Sequence, residues 1–82
     1  MTDTELLDKK IDESGLRIGY ICERLGISRQ VFYNKRTNRT EFLPSQIESL
    51  CNILGINTLT ERHAIFFARN VDKTSRSGGG VS

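Results

Sequence analysis

Residues 18–36 read IGYICERLGISRQVFYNKR, and the way this stretch divides decides the fold. Ile18, Ile21, Cys22 and Leu25 recur at i, i+3, i+4 and i+7, which gives a helix one apolar face and leaves Tyr20, Glu23 and Arg24 outside it. Gly26 follows, and a glycine there can end a helix by taking the left-handed conformation that a Cβ would disfavour. Ile27 fills the corner. Ser28 is a good N-cap, because its hydroxyl can accept from a free backbone amide, and a further helix is expected from Arg29 to about Arg36. The stretch thus predicts two short helices joined by a tight turn, with Phe32 as the apolar anchor of the second.

The same signals recur on both sides. Upstream, Thr2-Asp3-Thr4-Glu5 has the form of a capping box, Leu7 and Ile11 repeat at i, i+4, and Gly15 can close that helix. Downstream, residues 37–42, TNRTEF, read as a polar turn. Pro44-Ser45-Gln46-Ile47-Glu48 offers a rigid start with Ser-x-x-Glu capping, Ile47, Leu50, Cys51 and Leu54 form an apolar stripe, and Gly55 ends it. Thr58-Leu59-Thr60-Glu61 repeats the capping logic for a fifth helix through about Arg69. No alternating apolar pattern is long enough for a strand, so the expected fold is all-α with five helices. The tail DKTSRSGGGVS, residues 72–82, lacks the apolar content to bury a core and is expected to be disordered, leaving one domain over residues 1–71.

Length and composition narrow the function. A chain of 82 residues suits one small domain and leaves little room for a deep catalytic cleft beside its core. Cys22 and Cys51 stand 29 residues apart with no CxxC pair, and His63 is the single histidine, so neither a zinc site nor a disulfide framework is indicated. No Ser/His/Asp, Cys/His or paired-carboxylate arrangement points to catalysis. The first residues, MTDTELLDKK, show no leader pattern, and no apolar run approaches the ~18 residues of a membrane span, so a cytoplasmic protein is the default expectation.

The net charge of +2 is unevenly spread. Residues 1–16 carry −3, residues 17–40 carry +5, and residues 41–82 hold four charges of each sign. The positive segment contains Arg17, Arg24, Arg29, Lys35, Arg36 and Arg39 against Glu23 alone, as an anionic partner would require.

Residues 18–36 resemble the helix-turn-helix unit of the lambda-repressor and Cro-like DNA-binding family. The likeness rests on apolar Ile21 and Leu25, small Cys22 where the two helices cross, Gly26 at the turn, Ile27, Ser28, and buried-type Phe32. The following LPSQIESLCNILGI, residues 43–56, is similar to the next helix of that family, and the likeness spans roughly residues 4–68. Three positions depart from the pattern. Ile18 stands where the family often has a phosphate-touching Gln, leaving neighbouring Arg17 to supply that contact. Cys22 replaces the usual Ala, and Lys35 occupies a position that is usually apolar.

The resemblance implies that the third helix enters the major groove, with Arg29, Gln30, Tyr33 and Asn34 contacting bases. Arg can bond guanine O6 and N7, and Gln or Asn can bond adenine N6 and N7, each through two parallel hydrogen bonds. Arg17, Ser28, Lys35, Asn38, Arg39 and Thr40 flank that face and are suited to phosphate oxygens, which position a protein without reading sequence. In the fifth helix Ile65, Phe66 and Phe67 are consecutive, so one ring can join the core while another points elsewhere, which predicts a subunit contact and a homodimer. The functional expectation is a sequence-specific regulator of transcription of the phage repressor or Cro type, binding double-stranded DNA without cofactor or small-molecule ligand. Two rivals are a protein-interaction module of the same fold, as in an antirepressor or antitoxin, and a DNA-binding accessory subunit of a packaging or recombination enzyme.

Overall fold

The computed structural model describes residues 1–69, which form five α-helices and no strand. They are α1 (Thr4–Ser14), α2 (Ile18–Leu25), α3 (Arg29–Arg36), α4 (Pro44–Leu54) and α5 (Leu59–Phe66). The expected domain limit at residue 71 and the tail 72–82 lie outside the described residues.

Local chemistry sets most helix ends. Gly26 closes α2 at φ 73°, and its amide donates to the carbonyls of Cys22 and Glu23. Ser28 Oγ then accepts from the Val31 amide at 3.1 Å and starts α3, so the two helices are separated by only Gly26, Ile27 and Ser28. Thr58 caps α5 by accepting from the Glu61 amide at 3.2 Å.

Three expected ends differ. The N-cap of α1 is Asp3, whose Oδ1 accepts from Leu6 at 3.1 Å, whereas Thr2 is buried and takes no part in capping. At α4 the N-cap is Leu43, Pro44 takes the first helical position, and Gln46 Oε1 accepts the Leu43 amide at 2.9 Å, a role the sequence had given to Ser45 and Glu48. Helix α5 stops at Phe66 rather than near Arg69, because the chain pairs with the N-terminus instead: Ala68 N donates to Met1 O at 2.9 Å and the Met1 ammonium donates to Ala68 O at 3.1 Å.

The core collects Leu7 and Ile11 from α1, Ile21 and Cys22 from α2, Phe32 from α3, Ile47, Leu50 and Cys51 from α4, and Ile65 and Phe66 from α5. Helix α2 packs on α3 and α4, and α1 packs on α4 and α5. Helix α3 contributes one fully buried side chain, so its seating depends on Phe32. That ring meets Phe42 edge-on at 5.9 Å, and Phe42 meets Phe66 at 5.7 Å, giving an aromatic chain from α3 to α5. Phe42 lies in the loop that the sequence presented as a polar turn. A single ring in an aperiodic run gives no helical or strand signal, and its burial comes from the loop folding back.

Candidate nucleic-acid interface

With Phe32 turned into the core, a helix of 3.6 residues per turn places Gln30 and Asn34 about 160° away from it, on the outward side. Gln30 is exposed and Asn34 half-buried, and Gln30 Nε2 donates to Asn34 Oδ1 at 3.1 Å. That bond aligns the two amides and leaves Gln30 Oε1 and Asn34 Nδ2 with no partner among the described residues. Tyr33 and Val31 flank the pair, each about 100° from Phe32, with exposures of 45% and 39%. Val31 gives no signal in the sequence, since a lone apolar residue on a polar face has no periodic partner.

The remaining α3 side chains lie about 40–60° from Phe32, close to the body of the protein. Arg36 sits over the Phe32 and Tyr33 rings at 5.9 and 5.7 Å and pairs with Asp8 Oδ1 of α1 at 2.5 Å. Its backbone carbonyl accepts from Thr4 Oγ1 at 2.6 Å, so Arg36 ties α3 to α1. Lys35, on the other flank, donates from Nζ to the Glu41 carbonyl at 2.9 Å. Its charge is thereby drawn toward the loop after α3.

Arg29 is exposed, but its guanidinium lies across Gly19 of α2, away from the outward amide pair. Arg29 and Arg36 both bear on Cys22: burial pushes that thiol above its ordinary value, and the two cations pull it part of the way back.

The loop after α3 is fixed by the Asn34 carbonyl, which accepts from both Arg39 N at 2.8 Å and Thr40 N at 3.2 Å. Arg39 and Thr40 are exposed beside the C-terminal end of α3. Arg17 and Ser28 are likewise exposed, at the start of α2 and of α3. Of the six residues assigned to phosphate contact, Arg17, Ser28, Arg39 and Thr40 are therefore exposed, with Ser28 Oγ also capping α3.

Asn38 is not. It sits at φ 70°, a conformation that asparagine tolerates better than most residues, and its amide is spent on Thr2. That pairing commits the Asn38 side chain to the N-terminal segment, which needs partners for its own backbone groups.

The three residues expected at a subunit contact divide between core and surface. Ile65 and Phe66 are buried within the monomer, where the Ile65 carbonyl accepts from Asp3 N at 2.7 Å. Phe67 alone of the three is presented, half exposed with its ring 5.2 Å from that of His63. Consecutive helical residues diverge by about 100°, and here two of the three fall inside the contact with the N-terminal segment and α1.

Among the described residues no group of three or more His, Cys, Asp or Glu is placed to hold a metal ion, and no helix is long and apolar enough to cross a membrane. Comparison with family models, with curated proteins and with solved structures gives no match.

Proposed function

We propose that this chain is a cytoplasmic, sequence-specific double-stranded DNA-binding protein of lambda-repressor-like fold, a regulator of transcription of the phage repressor or Cro type. The observation that carries this reading is the Gln30–Asn34 amide pair on the outward side of a helix anchored by Phe32, with exposed Arg39 and Thr40 in the loop tied to the Asn34 carbonyl and exposed Arg17 at the start of α2. A major groove about 12 Å wide admits one α-helix, and paired amides with free donor and acceptor atoms match the edge of an adenine. The surrounding cations would engage phosphates and set the register. Occupying an operator would then block or recruit polymerase, with no ligand sensed.

Two copies arranged about a two-fold axis would address half-sites about 34 Å apart, with Phe67 available for the contact between them. The rival reading as a protein-interaction module draws on Val31 and Tyr33, apolar surface on the same helix that could equally meet a protein. Selection of bound sequences from random duplex DNA over a salt series separates the two. The proposal requires an enriched symmetric motif and an affinity that falls steeply with salt; absence of any motif overturns it.

A further inference from the structure

Gly19 and Arg29 form a contact that the readings above leave unused. A methyl group on Gly19 would stand 2.5 Å from Nη2 of Arg29, 3.4 Å from its Cζ and 3.5 Å from its Nε. Nη2 of Arg29 thus occupies space over α2 that a side chain at residue 19 would contest. The same groove is bordered by Arg17 and Ile18 from the start of α2 and by Asp8 and Asp12 from α1. Asp8 is already neutralised by Arg36.

We propose that Arg29 grips a backbone phosphate across the junction of α2 and α3 rather than reading a base, and that Gly19 is the positioning residue that makes room for it. The inference rests on the DNA-binding reading and deepens it by dividing the labour on α3. Gln30 and Asn34, on the far side of the helix from Phe32, are left to discriminate bases, while Arg29 joins Arg17 as a sequence-blind contact. An arginine whose terminal nitrogen sits over a glycine of α2 starts close to that junction, and a side chain at residue 19 would push it away.

The test compares wild type, Arg29→Ala, Gly19→Ala and the double variant by duplex selection and by salt titration on the selected site. Each variant is first melted to establish that it folds; the collision at residue 19 is with the mobile end of a side chain, so Gly19→Ala is expected to fold. Arg29→Ala should lose about tenfold in affinity on every duplex, with the slope of log affinity against log salt reduced by about 0.9, and should keep the selected motif unchanged. Gly19→Ala should reproduce part of that loss, and the double variant should be no weaker than Arg29→Ala, since the glycine acts through the arginine. Blurring of the motif at one base pair in Arg29→Ala, or additive losses in the double variant, overturns this inference alone. Wild type that selects no motif overturns the DNA-binding reading itself.

Discussion

Asn38 holds Thr2 by both ends of its amide: Nδ2 donates to the Thr2 carbonyl at 2.8 Å and Oδ1 accepts the Thr2 amide at 2.8 Å. The two residues are 36 apart in the chain, so this one side chain fastens the N-terminal segment to the turn that follows α3.

Replacing Asn38 with alanine removes both bonds, strands two backbone groups in a part-buried place, and forces a Cβ-bearing residue without a polar side chain to hold φ 70°. The expected loss is about 2–4 kcal/mol, read as a fall of roughly 10 °C or more in melting temperature. Asn38→Gly restores backbone freedom but not the bonds, so it should melt between wild type and Asn38→Ala. If glycine and alanine melt alike, the left-handed conformation contributes nothing; if neither shifts the melt, the clasp is not stabilising.

Phe32→Ala tests the seating of α3. The ring is 1% exposed, is the one buried residue of its helix, and is the first link of the aromatic chain through Phe42 to Phe66. Truncating a buried Phe costs about 3–5 kcal/mol, against a total stability of about 5–15 kcal/mol for a domain. The variant should show a much lower urea midpoint, and should keep wild-type helical circular dichroism at zero denaturant where the wild-type stability exceeds about 7 kcal/mol, because a remaining ~2 kcal/mol still leaves most molecules folded.

These two residues also mark where the sequence is legible. The helices, Gly26, Ser28 and the anchor Phe32 follow from periodicity and from caps that act within four residues, so a linear reading finds them. Asn38, Thr2 and Phe42 act through contacts made only after the chain has closed on itself, and a polar turn residue looks the same whether it faces solvent or clasps a distant backbone. The candidate surface divides on the same line. Gln30 and Asn34 face outward because Phe32 faces inward, which the helical period dictates. That Arg29 turns back onto Gly19, and that Ile65 and Phe66 close against the N-terminal segment and α1, depends on what other elements bring to those positions.

Cys22 predicts a pH dependence. Its thiol is buried and its pKa lies above the ordinary 9.0 because burial disfavours the thiolate, although Arg29 and Arg36 oppose the effect. Well below pH 9.0 the thiol is protonated whether the chain is folded or not, and the contribution to stability is constant. Above it the unfolded chain releases the proton first, so stability falls as pH rises toward the folded value. The urea midpoint should therefore drop between pH 8 and pH 10, and Cys22→Ala should drop less over the same interval. Equal drops would show that other groups carry the effect. At pH 8 both Cys22 and Cys51 should resist alkylation until the protein is unfolded, as read by mass spectrometry, since both are buried.

Gln30→Ala and Arg39→Ala should fail in different ways, which is the sharpest consequence of the proposed interface. Gln30 lies on the outward side of α3 with its Oε1 free, so its loss should relax the selected motif at one base pair, a discrimination of about 1–3 kcal/mol. Because Gln30 also holds Asn34 at 3.1 Å, removing it lets the Asn34 amide turn, and the Gln30→Ala/Asn34→Ala variant should lose less than the two single losses combined. Arg39 is exposed and, among the described residues, anchored through its backbone amide alone, so Arg39→Ala should weaken all duplexes alike and flatten the salt dependence by about 0.9 in slope. Uniform weakening by Gln30→Ala, with the motif intact, would remove α3 from the role of base reader and leave the outward amides to a protein partner.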